Sequence, residues 1–298
     1  IGLILDAGIE EDLRVRHLQV ADAARASLGL PVVEYVTTDV PLQVEKWVDV
    51  HTGQSTGRIG HPDSLLRAVD TLIDCAGVNA VAVVSRFPDD SLDELEDYRQ
   101  GKGVDVLAGV EAIISHLVVK EFHIPCAHAP ALAPLPLDPL LCPRSAAEEI
   151  GHTFLPSVLA GLSKAPQYVV KKEEYPGYIS RHGCIWTDVV DSVVVPIDAC
   201  GGSGTLAFGR KVGSKPLIIG VEENQTVLSD TPDKLGLNVL KVENYWEALG
   251  VIAAHKSGID PQSLRRDGVK HIQCSPSIPG QKIFPNSKRQ ISPVLHGV

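Results

Sequence analysis

A glycine-rich turn after an apolar run is the strongest candidate for ligand binding in this sequence. Residues 191–205 read DSVVVPIDACGGSGT, and a helix is predicted from Thr205 to Arg210. Glycines let backbone N–H groups converge, and a helix start adds unpaired donors at its positive end. The turn matches neither the G-x-G-x-x-G fingerprint nor the Walker A pattern. It therefore predicts binding of a phosphate or carboxylate, without naming the ligand, by these residues: Gly201, Gly202, Ser203, Gly204 and Thr205.

Polar residues follow four other predicted strands as well. They include Asp6, Arg86, His128, Glu222 and Asn224. Ligands of open parallel sheets bind at the carboxyl ends of the strands, so one shared crevice is predicted there. The alternative is that loops between strands and helices are polar anyway, and that their Asp and Asn residues only cap the next helix.

Arg86 is the candidate clamp for a carboxylate or phosphate, because a guanidinium binds such groups with two parallel hydrogen bonds. Asp89 and Asp90 can orient it or bind a divalent cation. Alternatively, this segment is a strand exit followed by the N-cap of an acidic helix.

Three residues are candidate groups for proton transfer, namely Asp198, Glu222 and His128. Adjacent side chains point in different directions, so at most one of Glu222 and Glu223 is expected to face a crevice. A plain turn role for Asn224 or Thr226 is left open.

Histidines and cysteines are densest at His116, His123, Cys126 and His128. Cys126 and His128 share one face of a strand, which makes them weak metal-ligand candidates together with His116. Buried, hydrogen-bonded histidines and a core cysteine are the alternative. Cys200 is a candidate reactive thiol if the following helix lowers its pKa.

Apolar runs that alternate with helical patterns must position these residues. Continuous rather than alternating runs indicate strands buried on both faces, and the alternation indicates βαβ units. We therefore predict an α/β fold with a mostly parallel, doubly wound, Rossmann-like sheet and helices on both faces. The predicted strands are 1–5, 32–36, 80–84, the region 124–127, 192–197, 216–221 and 239–242. The predicted helices are 10–28, 62–75, 104–121, 154–162 and 245–256.

Three segments interrupt this rhythm. A proline-rich insertion over 129–143 is either a long ordered crossing or a linker, because prolines lack N–H donors. A charged surface loop is predicted at 171–178. Residues 267–298 are predicted to form an extended, irregular tail after an α/β domain over 1–266, with a division into two lobes near 130–150 left open.

The composition is that of an ordinary globular protein. Of 298 residues, 44% are hydrophobic and 21% charged. The formal net charge of −10 argues against nucleic-acid binding, and no apolar run reaches the roughly 18 residues of a membrane-spanning helix. Six scattered cysteines favour a reducing compartment over disulfides or structural zinc. Methionine is absent, so we expect the natural start upstream.

Several segments of the sequence resemble those of an uncharacterised family of cyanobacteria and plant chloroplasts, which is known only as a domain of unknown function. They are IGLILDAGI at 1–9, RHLQVAD at 16–22, YRQGKGVD at 98–105, SH at 115–116, PCAHAPAL at 125–132 and VEENQT at 221–226. The resemblance extends to about residue 258 and implies the chloroplast stroma or cyanobacterial cytoplasm. It also implies a further glycine-rich segment upstream, and it supplies no chemistry.

Together these patterns predict an α/β enzyme or ligand-binding protein whose partner is a small anionic metabolite, phosphorylated metabolites included. No cofactor and no reaction class follow from the sequence, and self-association as a homo-oligomer is left open. The alternative is a non-catalytic assembly or regulatory factor that binds a protein partner through the proline-rich segment or the tail.

Overall fold

The computed structural model describes residues 1–146, 155–169, 184–213, 215–269 and 271–272, and it confirms an α/β fold with parallel sheets flanked by helices. The chain divides into two compact units, 1–244 and 245–298. The predicted domain limit at residue 266 stays a prediction. The predicted loop at 171–178 and the tail from 273 onward lie outside the described residues.

The strands are β1 (Gly2–Leu5), β2 (Glu34–Thr37), β3 (Val44–Val48), β4 (Ser55–Ile59), β5 (Val81–Arg86), β6 (Cys126–Ala131), β7 (Ser192–Pro196), β8 (Leu217–Val221) and β9 (Leu240–Val242). The helices are α1 (Glu11–Leu28), α2 (Pro62–Ala76), α3 (Leu92–Arg99), α4 (Ala108–Phe122), α5 (Leu155–Leu162), α6 (Ser203–Arg210), α7 (Pro232–Leu235) and α8 (Tyr245–Lys256), followed by a 3-10 helix at Pro261–Leu264. None of the described helices is long and apolar enough to cross a membrane.

The first sheet has four parallel strands in the order β2-β1-β5-β6. All four residues of β1 are buried, as are the first five of β5, because both faces of the sheet are covered. One face packs against α2, α4 and the β3–β4 hairpin, and the other against α1 and α5. These two cores hold the carboxyl ends of β1 and β5 in fixed positions.

The remaining strands form a second parallel sheet, β7-β8-β9. The expectation that the strand ends lie at one edge of one sheet is therefore wrong for the described strands, which form two parallel sheets. That their polar loops share one crevice stays a prediction. Apolar runs identify strands but not their pairing. Here a proline-rich segment follows β6, and its prolines lack the N–H donors that a further ladder would need.

Strand β6 is longer than predicted, and this moves His128. The strand covers Cys126–Ala131, so His128 lies inside it and not in the loop that follows. Because β6 is an edge strand in the described sheet, it tolerates Pro130, which has no N–H to donate.

The antiparallel hairpin β3–β4 was not predicted. Its five-residue strands are mostly half-buried or exposed, so neither gives a continuous apolar run. The hairpin packs against α4 and carries Lys46 to the carboxyl edge of the first sheet.

Candidate functional site

Arg86, the predicted anion clamp, is engaged by two carboxylates of its own chain. Its Nε donates to Glu10 at 2.9 and 3.1 Å. Its Nη1 and Nη2 donate to the two carboxyl oxygens of Asp89 at 2.9 and 3.0 Å. Asp89 therefore orients Arg86, which is one of the two roles that the sequence predicted for it. The bond to Arg86 holds the pKa of both carboxyls below their usual values. An anionic ligand would have to compete with this cluster.

This cluster predicts a loss of stability in acid. A carboxyl group whose pKa is lowered by folding stabilises the folded protein at pH values above its pKa in the unfolded chain. This stabilisation is lost as the pH falls through the pKa of the folded state. The ordinary values are 3.8 for Asp89 and 4.5 for Glu10. We expect Arg86→Met to lower the Tm at pH 6 and the gap to wild type to narrow between about pH 4 and pH 2. Thermal unfolding across that range measures it, and a gap independent of pH would contradict it.

Asp6 is a buried structural acceptor at the end of β1, 1% exposed. Its Oδ1 accepts from the backbone N–H groups of Gly8 and Leu42, each at 2.9 Å, and its Oδ2 accepts from the N–H of Arg86 at 3.1 Å. The carboxylate thus ties together three segments at one edge of the sheet. Its oxygens face backbone donors, and its predicted role in ligand binding stays a prediction.

A cavity of about 210 Å³ opens beside the loop that follows β5. It lies between α3, the segment that leads into α4, and the proline-rich segment. Its lining is Asp90, Glu94, Leu95, Asp97, Tyr98, Lys102, Gly103, Val104, Asp105, Val106, Leu107 and Leu135. Part of this lining belongs to the string YRQGKGVD at 98–105.

The wall beside Asp90 contains a buried ion pair. Asp90 pairs with Lys46, and their side chains are 16% and 7% exposed. Asp90 is therefore neither a helix cap nor an open cation ligand. Ser91 caps α3 instead: its Oγ accepts from the N–H of Glu94 at 3.2 Å, while the Glu94 carboxylate accepts from the N–H of Ser91 at 2.8 Å. The alternative prediction of a strand exit followed by an acidic helix is confirmed, with Ser91 as its cap.

The proline-rich segment lies along the cavity and is anchored at its rim. The N–H of Ala133 donates to Asp89 at 2.8 Å, and the carbonyl of Pro136 accepts from Arg99 at 2.7 Å. Leu135, between these anchors, lines the cavity. Of the two predicted roles, the ordered crossing is therefore correct for the stretch through Pro136.

The cavity is acidic. Four carboxylates line it, and the two nearby ammonium groups belong to Lys46 and Lys102. The lining therefore favours groups that donate hydrogen bonds, namely hydroxyls and amines, over a simple anion.

The glycine turn is part of the second sheet and is held by carboxylates. Asp198 accepts from the N–H and the hydroxyl of Thr226 at 2.8 and 2.9 Å. A Cβ on Gly201 would lie 2.8 Å from Cγ of Asp230, so the glycine makes room for that side chain. Gly202 is the N-cap of α6 and no side chain caps this helix. The predicted anion-binding turn thus offers helix N–H groups, but beside two acidic residues.

The prediction of a reactive thiol at Cys200 is wrong. The residue is buried, and burial raises its pKa, with further increases from the carboxylates of Asp198 and Asp230. Burial and the two carboxylates therefore oppose the helix dipole, which would lower the pKa of the thiol. The thiol lies near the carbonyls of Pro196 and Ile197 at 3.8 and 3.6 Å, as expected for a small core residue.

The residues predicted after β8 lie at the edge of the second sheet. Glu222 is exposed, and its N–H donates to the carbonyl of Val242 at 3.0 Å. Asn224 is half-buried. Thr226 has the turn role that the sequence left open, because it binds Asp198.

His128 lies between two polar residues of α4. Its Nδ1 is 2.7 Å from Oγ of Ser115, and its Nε2 is 3.5 Å from Oε2 of Glu111. Cys126, on the same face of β6, also contacts Ser115, and burial raises the pKa of its thiol to about 12. His116 is exposed on α4. The described residues contain no group of three or more His, Cys, Asp or Glu side chains that could hold a metal ion.

Residues of these sites that sequence reasoning did not identify include Lys46, Lys102, Glu111 and Ser115. Lys46 belongs to the unpredicted hairpin. Glu111 and Ser115 are four residues apart in a predicted helix, a spacing that puts both on one face. Pairing that face with His128 would have required the position of β6.

Comparisons with known proteins place the chain among relatives without an assigned activity. The family model described as "Protein of unknown function (DUF3326)" matches residues 1–265. A protein of Synechococcus sp. named "Uncharacterized lipoprotein" is 52% identical over 265 residues, which are 89% of this chain and 71% of that protein. No solved structure matches the chain. The occurrence of such chains in chloroplasts stays a prediction.

Proposed function

The chain belongs to the DUF3326 family of proteins of unknown function, and from its geometry we propose that it binds a small polar metabolite in the cavity beside β5. The observation that carries the proposal is the lining itself. Charged groups, among them Asp90 with its partner Lys46, stand beside apolar side chains in one concave site at the carboxyl edge of a parallel sheet. Such edges are where open α/β folds bind ligands.

The charges of the cavity narrow the ligand class. An acidic group of the ligand would face Lys102, and its hydroxyl or ammonium groups would donate to carboxylates such as Asp97 and Asp105. A zwitterionic or hydroxylated acid meets both needs, whereas an anion without donors is repelled. This narrows the small anionic metabolite that the sequence predicts, and sugar phosphates remain within the class.

The test is a thermal-shift screen with amino acids, sugar phosphates, nucleotides and simple dicarboxylates. We expect zwitterionic or hydroxylated acids to raise the Tm and simple dicarboxylates to leave it unchanged. Leu135→Trp fills the cavity and should abolish the shift. Leu137→Trp is the matched control, because Leu137 lies in the same segment and is 99% exposed. Equal shifts in both variants, or no shift with any class, would overturn the proposal.

Anion binding at the glycine turn is a separate proposal. It is supported by the start of α6 at Ser203, where the N-cap residue Gly202 has no side chain to bind the first N–H groups. Asp198 and Asp230 oppose it. Titration with inorganic phosphate should shift the amide NMR signals of Ser203, Gly204 and Thr205, and unchanged signals would reject it. Asp198 and Glu222 can act in proton transfer only on a bound ligand, so that role depends on detecting this binding first.

A protein-binding role receives less support from the proline-rich segment, since Ala133 and Pro136 are bonded to the chain's own side chains. The tail predicted as the second binding surface lies largely outside the described residues. Deletion of residues 259–298 therefore tests this role. Loss of a captured partner, with ligand binding retained, would favour it.

We propose the cyanobacterial cytoplasm or chloroplast stroma as the location, on the family resemblance. The Synechococcus relative is named a lipoprotein, so lipid anchoring is the competing proposal. Fractionation of the full-length protein from its native cells separates the two. Release into the aqueous fraction without detergent favours the first, and retention until detergent is added favours the second.

A further inference from the structure

We propose that Ser115, His128 and Glu111 form a catalytic site for ester or thioester hydrolysis, separate from the metabolite cavity. Ser115 is the nucleophile, His128 is its base, and Glu111 positions the imidazole. Oγ of Ser115 lies 2.7 Å from Nδ1 of His128, and Nε2 of the same ring lies 3.5 Å from the Glu111 carboxylate. This serine, imidazole and carboxylate order is the arrangement that activates a hydroxyl for attack.

Two elements hold the three side chains together. Glu111 and Ser115 are four residues apart on α4, so they lie on one helix face. His128 lies on the edge strand β6, and α4 packs on that strand. When Nδ1 accepts the serine proton, the ring carries its own proton on Nε2, which faces Glu111. A carboxylate on that side of the ring favours the tautomer with the proton on Nε2, which is the one that the serine needs.

The surroundings suit a reactive serine. The His128 side chain is 26% exposed and that of Glu111 is 14% exposed, so the pair is largely shielded while the imidazole stays accessible to solvent. Cys126, the neighbouring thiol on β6, does not compete as a nucleophile, because its burial keeps it protonated. The serine is thus the group that His128 is placed to deprotonate.

The reaction balances without any added cofactor. Oγ of Ser115 attacks the acyl carbon while His128 takes its proton, and the tetrahedral intermediate then breaks the bond to the leaving alcohol or thiol. His128 gives its proton to that leaving group. Water next attacks the acyl-serine while His128 takes a proton from it. The second tetrahedral intermediate then breaks the bond between the acyl carbon and Oγ, and His128 returns the proton to Oγ, which releases the acid and restores Ser115. Glu111 stabilises the imidazolium in both halves.

The test uses a small fluorophosphonate, which forms a phosphorus–oxygen bond to an activated serine and releases fluoride. Peptide mass spectrometry of the treated protein should find the adduct on Ser115. Ser115→Ala should abolish it, and alanine is well tolerated in a helix. His128→Asn should slow labelling by about 100-fold or more, the effect of losing a general base. Ser27→Ala is the matched control, because Ser27 is an exposed helical serine bonded only to the Ala23 carbonyl.

Hydrolysis of short p-nitrophenyl esters gives the second readout. We expect Glu111→Gln to lower kcat by about 10-fold with KM unchanged, as for an interaction made only in the transition state, and Glu111→Asp to restore part of it. A structural role alone would lower the Tm without this kcat effect. An unlabelled wild type, an adduct on another residue, or wild-type ester hydrolysis by Ser115→Ala would overturn the proposal. Ligand binding in the cavity is measured separately and does not affect this outcome.

Discussion

Asp6→Ala is expected to lower the free energy of unfolding by about 3–5 kcal/mol. The substitution removes the acceptor for three backbone N–H groups, on Gly8, Leu42 and Arg86. A buried donor without a partner costs about 1–3 kcal/mol, and relaxation of the site recovers part of the sum. Because these donors belong to three segments, the loss also loosens the edge of the sheet beside the cavity.

Urea unfolding followed by circular dichroism measures this effect. Asp6→Asn should be milder, since its amide oxygen still accepts from Gly8 and Leu42 while its NH₂ group opposes the N–H of Arg86. Asp12→Ala is the control on an exposed carboxylate and should stay within about 0.5 kcal/mol of wild type. A loss below about 1 kcal/mol for Asp6→Ala would mean that water satisfies the three donors.

The sequence predicted the strands and helices of this fold better than their arrangement. Buried runs such as Val81–Val84 identify a strand without reference to its neighbours. Pairing depends on contacts between distant segments, so neither the division into two sheets nor the hairpin at Val44–Val48 followed from periodicity. The end of β6 was predicted too early because of Pro130. A proline usually marks the end of a strand, but an edge strand tolerates one, since its outward N–H positions need no partner.

For the candidate sites, too, the sequence predicted individual residues better than their contacts. Residue type and position correctly placed Arg86 and Asp89 at the end of a strand, whereas His128 lies inside β6. The partners of Arg86 and His128 did not follow from it. Glu10 lies just before α1 and Ser115 lies in α4, and the sequence leaves the packing of both helices open. The glycine turn shows the reverse case: Gly201 is explained by the chain's own Asp230 and needs no ligand.

The hairpin links fold and site, and one of its close contacts with α4 is made at Gly109. At Gly109 an added Cβ would overlap the carbonyl of Ser55 and lie 2.5 Å from the N atom of Thr56. Ser55 also bridges the two elements, since its hydroxyl donates to Val106 at 2.9 Å and accepts from the N–H of Gly109 at 3.0 Å. No side-chain rotation relieves the overlap, because the opposing atoms are backbone.

Gly109→Ala is therefore expected to lower the free energy of unfolding by about 3 kcal/mol, the upper range for overpacking. Displacement of the hairpin should also disturb the Lys46–Asp90 pair, so ligand binding in the cavity should weaken with it. Gly161→Ala in α5 is the matched control, because nothing lies within 4 Å of its added Cβ. There the helix should gain about 0.5–1 kcal/mol. Urea unfolding of both variants gives the comparison, and a neutral Gly109→Ala would mean that the hairpin moves away from α4 without cost.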